Sequence, residues 1–438
     1  MTSLEKSKPL RPFVLLFLFS FFISCASYVD QQKKLLEAYK SRNYAQALLE
    51  LDKSSLKGSS KNRLLYILEK ASILRQQGEK EKSKKLFLDA DQVIDELYTK
   101  SILEGAASLV YNESAISYSG ELFERVHLHT ILAFMFIEEK DLGKARVEAK
   151  KINSRLHEFT QDFGDKNNTY RKDAFALYLS GTIFEALGEY DDAIIDYKNA
   201  LEVFETKLFE SFYYGNIKEQ VANALYHLSL KRGREDLAEK ILSRYPSIRQ
   251  KKQEKEGELV VLHEGGLISL KQEKTFLLPV GEQVVRFSYP IIESGSPQFG
   301  QMGVLFSGDH FVSAENGAYL SPIAHQTLEE KRFRLIAKGL ARVLIKSQIN
   351  RAVSENLGLF AGLVSNVVTA ATETADTRSW MSLPDGFFVT RVSLPEGEHE
   401  IITVNDGMRS PVQKVKIKAG KLTLIKTAPQ VTRLERKS

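Results

Sequence analysis

Between Tyr28 and Gln250 apolar residues recur every three to four positions, and Pro246 is the only proline, a pattern that predicts helix after helix. Beyond Glu256 the period shortens towards two. Gly257 to Leu262, Lys274 to Pro279, Val284 to Pro290 and Gln301 to Phe306 read as strands separated by Gly, Pro and Ser. Pro322 to Arg351 reads as one long amphipathic helix, with Leu328, Phe333, Leu335, Ile336, Leu340, Val343 and Leu344 on its apolar side. Strands return at Phe387 to Leu394, His399 to Val404, Val412 to Ala419 and Lys421 to Thr427. The turns at Pro395-Glu396-Gly397, Asp406-Gly407 and Ala419-Gly420 predict a compact antiparallel unit.

The helical half carries a repeated pattern. Its sharpest copy runs Leu177, Gly181, Phe184, Gly188, Tyr190, Ala193, Tyr197, Ala200, and it resembles the tetratricopeptide repeat (TPR). In that repeat small residues sit where the two helices of a hairpin touch, which gives Gly181 and Ala193 that role. Gly188 ends the first helix in the left-handed conformation. The same register fits four further segments, with Ala47, Ser83, Ala145 and Ala238 at the position of Ala193. The spacing between these positions is uneven, against roughly 34 residues in a regular array. Ser101 to Gly120 and Asp162 to Tyr170 are the insertions. The resemblance implies an α-solenoid that folds on its own and presents a concave docking face.

The expected architecture is α+β and multidomain, an N-terminal TPR-like α-solenoid followed by a mixed, β-containing C-terminal region. Its parts are a signal peptide (1–24), the solenoid (25–250), a charged linker (251–256), strands plus the long helix (257–355), a small-residue segment ending in Asp376-Thr377-Arg378-Ser379-Trp380 (356–380), an antiparallel β-unit (381–428) and a tail (429–438).

Cys25 is the sole cysteine and follows a positive n-region (Lys6, Lys8, Arg11) and the apolar run Phe13 to Ile23, too short to span a bilayer. Phe22-Ile23-Ser24-Cys25 resembles the lipobox of bacterial lipoproteins. That resemblance implies cleavage before Cys25, acylation with palmitate-type chains and a membrane-anchored mature chain. Ala26 after the cysteine implies outer-membrane sorting with the protein facing the periplasm. Loss of residues 1–24, with Lys6, Lys8, Arg11 and Glu5, lowers the formal net charge from +5 to +3. Basic and acidic residues are interleaved throughout, so no nucleic-acid footprint is present.

No nucleophile elbow, zinc helix or phosphate loop occurs, so the expected reading is non-enzymatic, without cofactor or metal. Glu124 and His127 share a helix face at a spacing used in di-metal bundles. A second such pair is missing, and a solvated or salt-bridged face is expected instead. Ser307, Asp309 and His310 are too close in sequence to form a triad by themselves, and His263-Glu264-Gly265-Gly266 reads as a turn. Asp376, Arg378 and Trp380, with the only tryptophan, fit either a structural corner or a recognition spot. Asn356 to Thr372 is uncharged and reads as a buried or partner-facing helix.

Three stretches together are similar to a family of largely uncharacterised bacterial lipoproteins with TPR-like repeats. They are Tyr118-Ser119-Gly120-Glu121 through Glu124-Arg125-Val126 to Ala145-Arg146-Val147-Glu148-Ala149, Gly257-Glu258-Leu259-Val260-Val261, and Ala375 through Trp380 to Leu383-Pro384. The resemblance implies envelope work and supplies no catalytic residues. The expected function is a lipid-anchored envelope scaffold that binds envelope proteins through its solenoid. The alternative is a peptidoglycan- or carbohydrate-binding lipoprotein acting through its C-terminal region.

Overall fold

The computed structural model describes residues 28–103, 116–162, 173–206, 216–248, 255–280, 283–293, 299–306, 310–357 and 375–426. Cys25, Ser307, Asp309, the tail and most of the uncharged segment 356–372 lie outside them. No described helix is long and apolar enough to cross a membrane.

After one turn at Tyr28–Gln31 come five helical hairpins: α1 Lys33–Lys40 with α2 Tyr44–Lys53, α3 Arg63–Gln76 with α4 Lys80–Leu103, α5 Leu122–Glu138 with α6 Leu142–Asp162, α7 Ala174–Leu187 with α8 Tyr190–Phe204, and α9 Ile217–Lys231 with α10 Glu235–Arg244. All five close identically. The first helix of each ends on a left-handed residue, Arg42 (φ 60°), Gly78 (85°), Lys140 (61°), Gly188 (82°) or Gly233 (67°). The next amide then reaches back five residues, from Asn43 to Ala38, Glu79 to Leu74, Asp141 to Phe136, Glu189 to Phe184 and Arg234 to Ser229. This is the Schellman closure, which satisfies carbonyls that a helix end leaves open. Arg42 and Lys140 accept a backbone conformation that costs roughly 1–2 kcal/mol for residues with a Cβ.

Each closure aims the second helix back along the first, and the small residue one turn in takes up the contact. Ala47, Ser83, Ala145, Ala193 and Ala238 are all at most 1% exposed. Ser83 fills an alanine position without cost because its hydroxyl donates to the Ala71 carbonyl at 2.7 Å. A Cβ on Gly181 would lie 2.8 Å from the Tyr197 ring, so the ring requires the glycine. Tyr197 and Ala200 are fully buried, and Tyr190 packs at the margin.

The C-terminal half builds two packed sheets. The first has the order β11-β1-β7-β6, from β1 Glu256–Gly265, β6 Glu315–Tyr319, β7 Gly386–Pro395 and β11 Leu422–Lys426. The second has the order β10-β8-β4-β5, from β4 Gly303–Phe306, β5 His310–Ser313, β8 Gly397–Asn405 and β10 Gln413–Ile417, with β9 Met408–Arg409 beside β8. A hairpin of β2 Lys271–Val280 and β3 Gln283–Ile292 packs on the long helix α11 Leu320–Leu357.

Strand β1 explains how the halves are joined. Successive side chains of a strand point to opposite faces. Leu259 and Val261 face the second sheet with Val304, Ile401 and Ile417, while Val260 and Leu262 join a core shared with the solenoid. The first sheet is therefore a middle layer, buried on both faces. Phe387 shows the same junction from β7, stacking on Phe175 and His127 at 5.2 and 4.8 Å.

Several expectations are corrected. Segments 257–355 and 381–428 are not separate units, since β1 pairs with β7 along its whole length and with β11 in parallel, so the terminal unit is not purely antiparallel. His263-Glu264-Gly265 belongs to β1 rather than to a turn, because eight consecutive residues of that strand are covered on both faces. Strands β5 and β6 fall between the expected strand ending at Phe306 and the expected helix starting at Pro322. Phe333 on α11 is 77% exposed, not on the buried side. The solenoid's inner face is not a vacant docking surface, for the chain's own β-half fills it.

Candidate functional site

The residues Asp376 to Asp385 run as a strap into the inner face of the second and third hairpins. Asp376 opens it by accepting from the Arg378 amide at 3.1 Å and clamping the Arg378 guanidinium at 2.8 and 2.7 Å. The guanidinium then donates to Asn62 Oδ1 and the Ile116 carbonyl and lies over the Tyr118 ring. Trp380 is fully buried, with its ring 5.7 Å from Phe87 and its indole N–H donating to Ser72 Oγ at 3.0 Å.

Two carboxylates hold the strap's backbone. Glu124 Oε1 accepts from the Trp380 amide at 2.8 Å, and Glu69 Oε1 accepts from the Met381 amide at 2.7 Å. Asp376, Arg378 and Trp380 thus recognise the chain's own solenoid. They are not offered to a partner, because Arg378 and Trp380 are 6% and 0% exposed. Glu124 and His127 are not solvated either. From Leu122 to Ile137 every residue of α5 except Arg125 is buried, so both side chains must find partners inside. Glu124 Oε2 takes the Tyr118 hydroxyl and the Glu121 amide, while His127 pairs with Asp173 at 2.9 Å. His310 stands alone of its proposed trio among the described residues, exposed on β5.

The carboxylates differ electrostatically. Burial pushes the Glu69 carboxyl up to about 7, and burial followed by the neighbouring Glu121 raises Glu124. Burial would raise Glu121 as well, but Lys271 and Lys331 outweigh it and hold that carboxyl well below its usual range. A carboxyl raised in the folded state binds more protons than in the unfolded chain between the two pKa values. Its contribution is present below about pH 4.5 and is lost as pH rises towards 7. Glu69→Gln keeps the acceptor for Met381 without the charge. The variant is expected to remove a decline on the order of 3 kcal/mol between those pH values, read by urea unfolding at pH 4.5 and 8. An unchanged pH slope would contradict the assignment.

A second lock lies under the fourth hairpin. The Arg391 side chain of β7 is 5% exposed and donates to Glu185 of α7 at 2.9 Å, to Glu258 of β1 at 2.7 Å and to the Tyr197 hydroxyl at 3.1 Å. It touches the repeat-packing tyrosine and both halves at once. His129 is held between Asp91 and Glu148 at 3.3 and 2.7 Å; burial lowers its affinity for a proton, and these two carboxylates more than restore it. Among the described residues no three His, Cys, Asp or Glu side chains gather as a metal site.

A cleft of about 1250 Å3 remains open between the first two hairpins and the β-half. Tyr39, Lys40, Arg42 and Tyr44 form one wall, the turn at Asn405, Asp406 and Met408 forms another, and Arg75, Glu138, Glu264 and Lys426 lie at its floor. Sequence does not single these residues out as a site, because they come from six separated stretches of chain.

No family model and no curated protein matches the chain. Among solved structures, MamA from AMB-1 is 14% identical over 51% of this chain and 93% of its own, at a TM-score of 0.29. BtubC from P. vanneervenii is 14% identical over 48% of this chain and 75% of its own, at 0.31. A Rap protein complexed with competence and sporulation factor is 19% identical over 48% of this chain and 50% of its own, at 0.27.

Proposed function

We propose that this chain is a non-enzymatic, lipid-anchored scaffold of the bacterial cell envelope that binds protein partners on the outer face of its helical stack. The first helices α5, α7 and α9 pack against the β-half, which leaves the second helices outward. One observation carries the reading. Leu49, Val147 and Ile195 each stand two residues beyond the contact alanine of their hairpin and are 55%, 49% and 53% exposed. Apolar side chains repeated at one register on a surface mark a contact site more strongly than scattered ones do. Val147 and Ile195 belong to neighbouring hairpins, whereas Lys85 and Lys240 take the position in the second and fifth.

Val147→Glu combined with Ile195→Glu is expected to keep the melting temperature, since exposed substitutions change stability by about half a kcal/mol or less. It should remove most partners captured by crosslinking mass spectrometry on native envelopes. Full capture by the double variant would contradict the outer-face reading. The anchor is tested separately. Cys25→Ala is expected to abolish labelling with a palmitate analogue and to move exported protein into the soluble fraction, because stable anchoring needs two or more acyl chains. Unchanged labelling would contradict it.

A further inference from the structure

The floor of the cleft contains a buried acceptor without a donor. Glu264 Oε1 receives Arg75 at 2.6 Å and faces Lys426 at 3.8 Å, but its Oε2 is buried with no hydrogen-bond partner, and the side chain is 9% exposed. A buried acceptor left unmade costs roughly 1–3 kcal/mol, which a ligand donor would recover. The neighbours restrict that donor. Arg75 and Lys426 are already balanced by Glu264 and Glu138, so an incoming cation would add an unmatched charge to a neutral floor, whereas a neutral hydroxyl would not.

The walls add two further requirements. Tyr39 and Tyr44 pack edge to face at 5.5 Å and provide an aromatic side to the cleft. Lys40, the last residue of α1, and Arg42, on the loop that follows, are exposed at the rim. Across the cleft the Asn405 side chain is fixed by its own bond to the Glu264 carbonyl at 2.9 Å, so the polar wall is preorganised. The space exceeds the roughly 300–1,000 Å3 of ordinary small-molecule sites.

We propose that this cleft binds a carboxylate-bearing sugar. A ring hydroxyl donates to Glu264 Oε2, the ring lies along the tyrosine wall, and the carboxylate reaches Lys40 and Arg42. The inference goes beyond the scaffold reading and stands without it, because the site uses none of the outer-face residues.

The test is titration calorimetry on the whole mature chain with N-acetylmuramic acid, glucuronic acid and glucose. The acidic sugars are expected to bind at least about tenfold tighter than glucose, a difference of about 1.4 kcal/mol. Arg42→Ala is expected to remove that preference, and Tyr44→Ala to weaken every sugar. Arg42 is exposed, so its variant remains informative if Tyr44→Ala fails to fold. Absence of binding by both acidic sugars, or an acid preference that survives Arg42→Ala, would overturn the proposal. Partner capture is a separate readout, so failure here leaves the scaffold reading intact.

Discussion

Residues 28–248 expressed without the β-half are expected not to hold a stable fold, contrary to the usual independence of a repeat array. In a solenoid each repeat is stabilised mainly by its neighbours. Here the first helices give a large part of their surface to another layer. Phe134 and Phe175 pack on Phe387, and the second hairpin is filled by Trp380. Cutting the chain would expose these apolar faces and strand Glu69, Glu124 and Glu185, which are at most 8% exposed, without their backbone or guanidinium partners. The fragment should show reduced helix by circular dichroism and a broad, poorly cooperative melt. A cooperative melt within a few degrees of the whole chain would contradict this.

Arg391→Ala is expected to destabilise the protein by about 3–5 kcal/mol, because it leaves Glu185 and Glu258 as buried carboxylates without their counter-charge. Arg391→Lys should recover only part of that loss. A lysine ammonium cannot reproduce the forked contact to two carboxylates and the Tyr197 hydroxyl. Both variants are read by urea unfolding. A loss near zero for the alanine variant would mean that the halves are not joined through this pair.

The hairpin stack was legible because its information is local. Gly78, Gly188 and Gly233 announce closures, and the small contact residues Ser83, Ala193 and Ala238 follow at a fixed distance. Arg42 and Lys140 close two hairpins without any such signal. Strand pairing was not legible, since nothing near Glu258 states that its neighbours are Ser393 and Leu422.

The strap was half visible. The Asp-Thr-Arg-Ser-Trp run stood out, but its receptor did not, because Glu69 and Glu124 look like ordinary helix charges in sequence. A signal did exist in α5 and α7. Leu122 to Ile137 and Ala174 to Leu187 are apolar nearly all round, and a helix without a polar face must be covered on both sides. That pattern, read strictly, places a further layer over the solenoid's inner face. The layer is the β-half.

The central claim is that solenoid and β-half form one cooperative unit, and the chain carries its own pair of probes. Trp380 is the only tryptophan and sits in the strap, while far-ultraviolet circular dichroism reports mainly on the helices. Urea unfolding of the whole chain, followed by both signals on one sample, is the most direct measurement. Coincident transitions with one midpoint are predicted. A tryptophan transition complete at lower urea, with the helical signal still native, would show that the strap leaves a solenoid that stands alone and would contradict the claim.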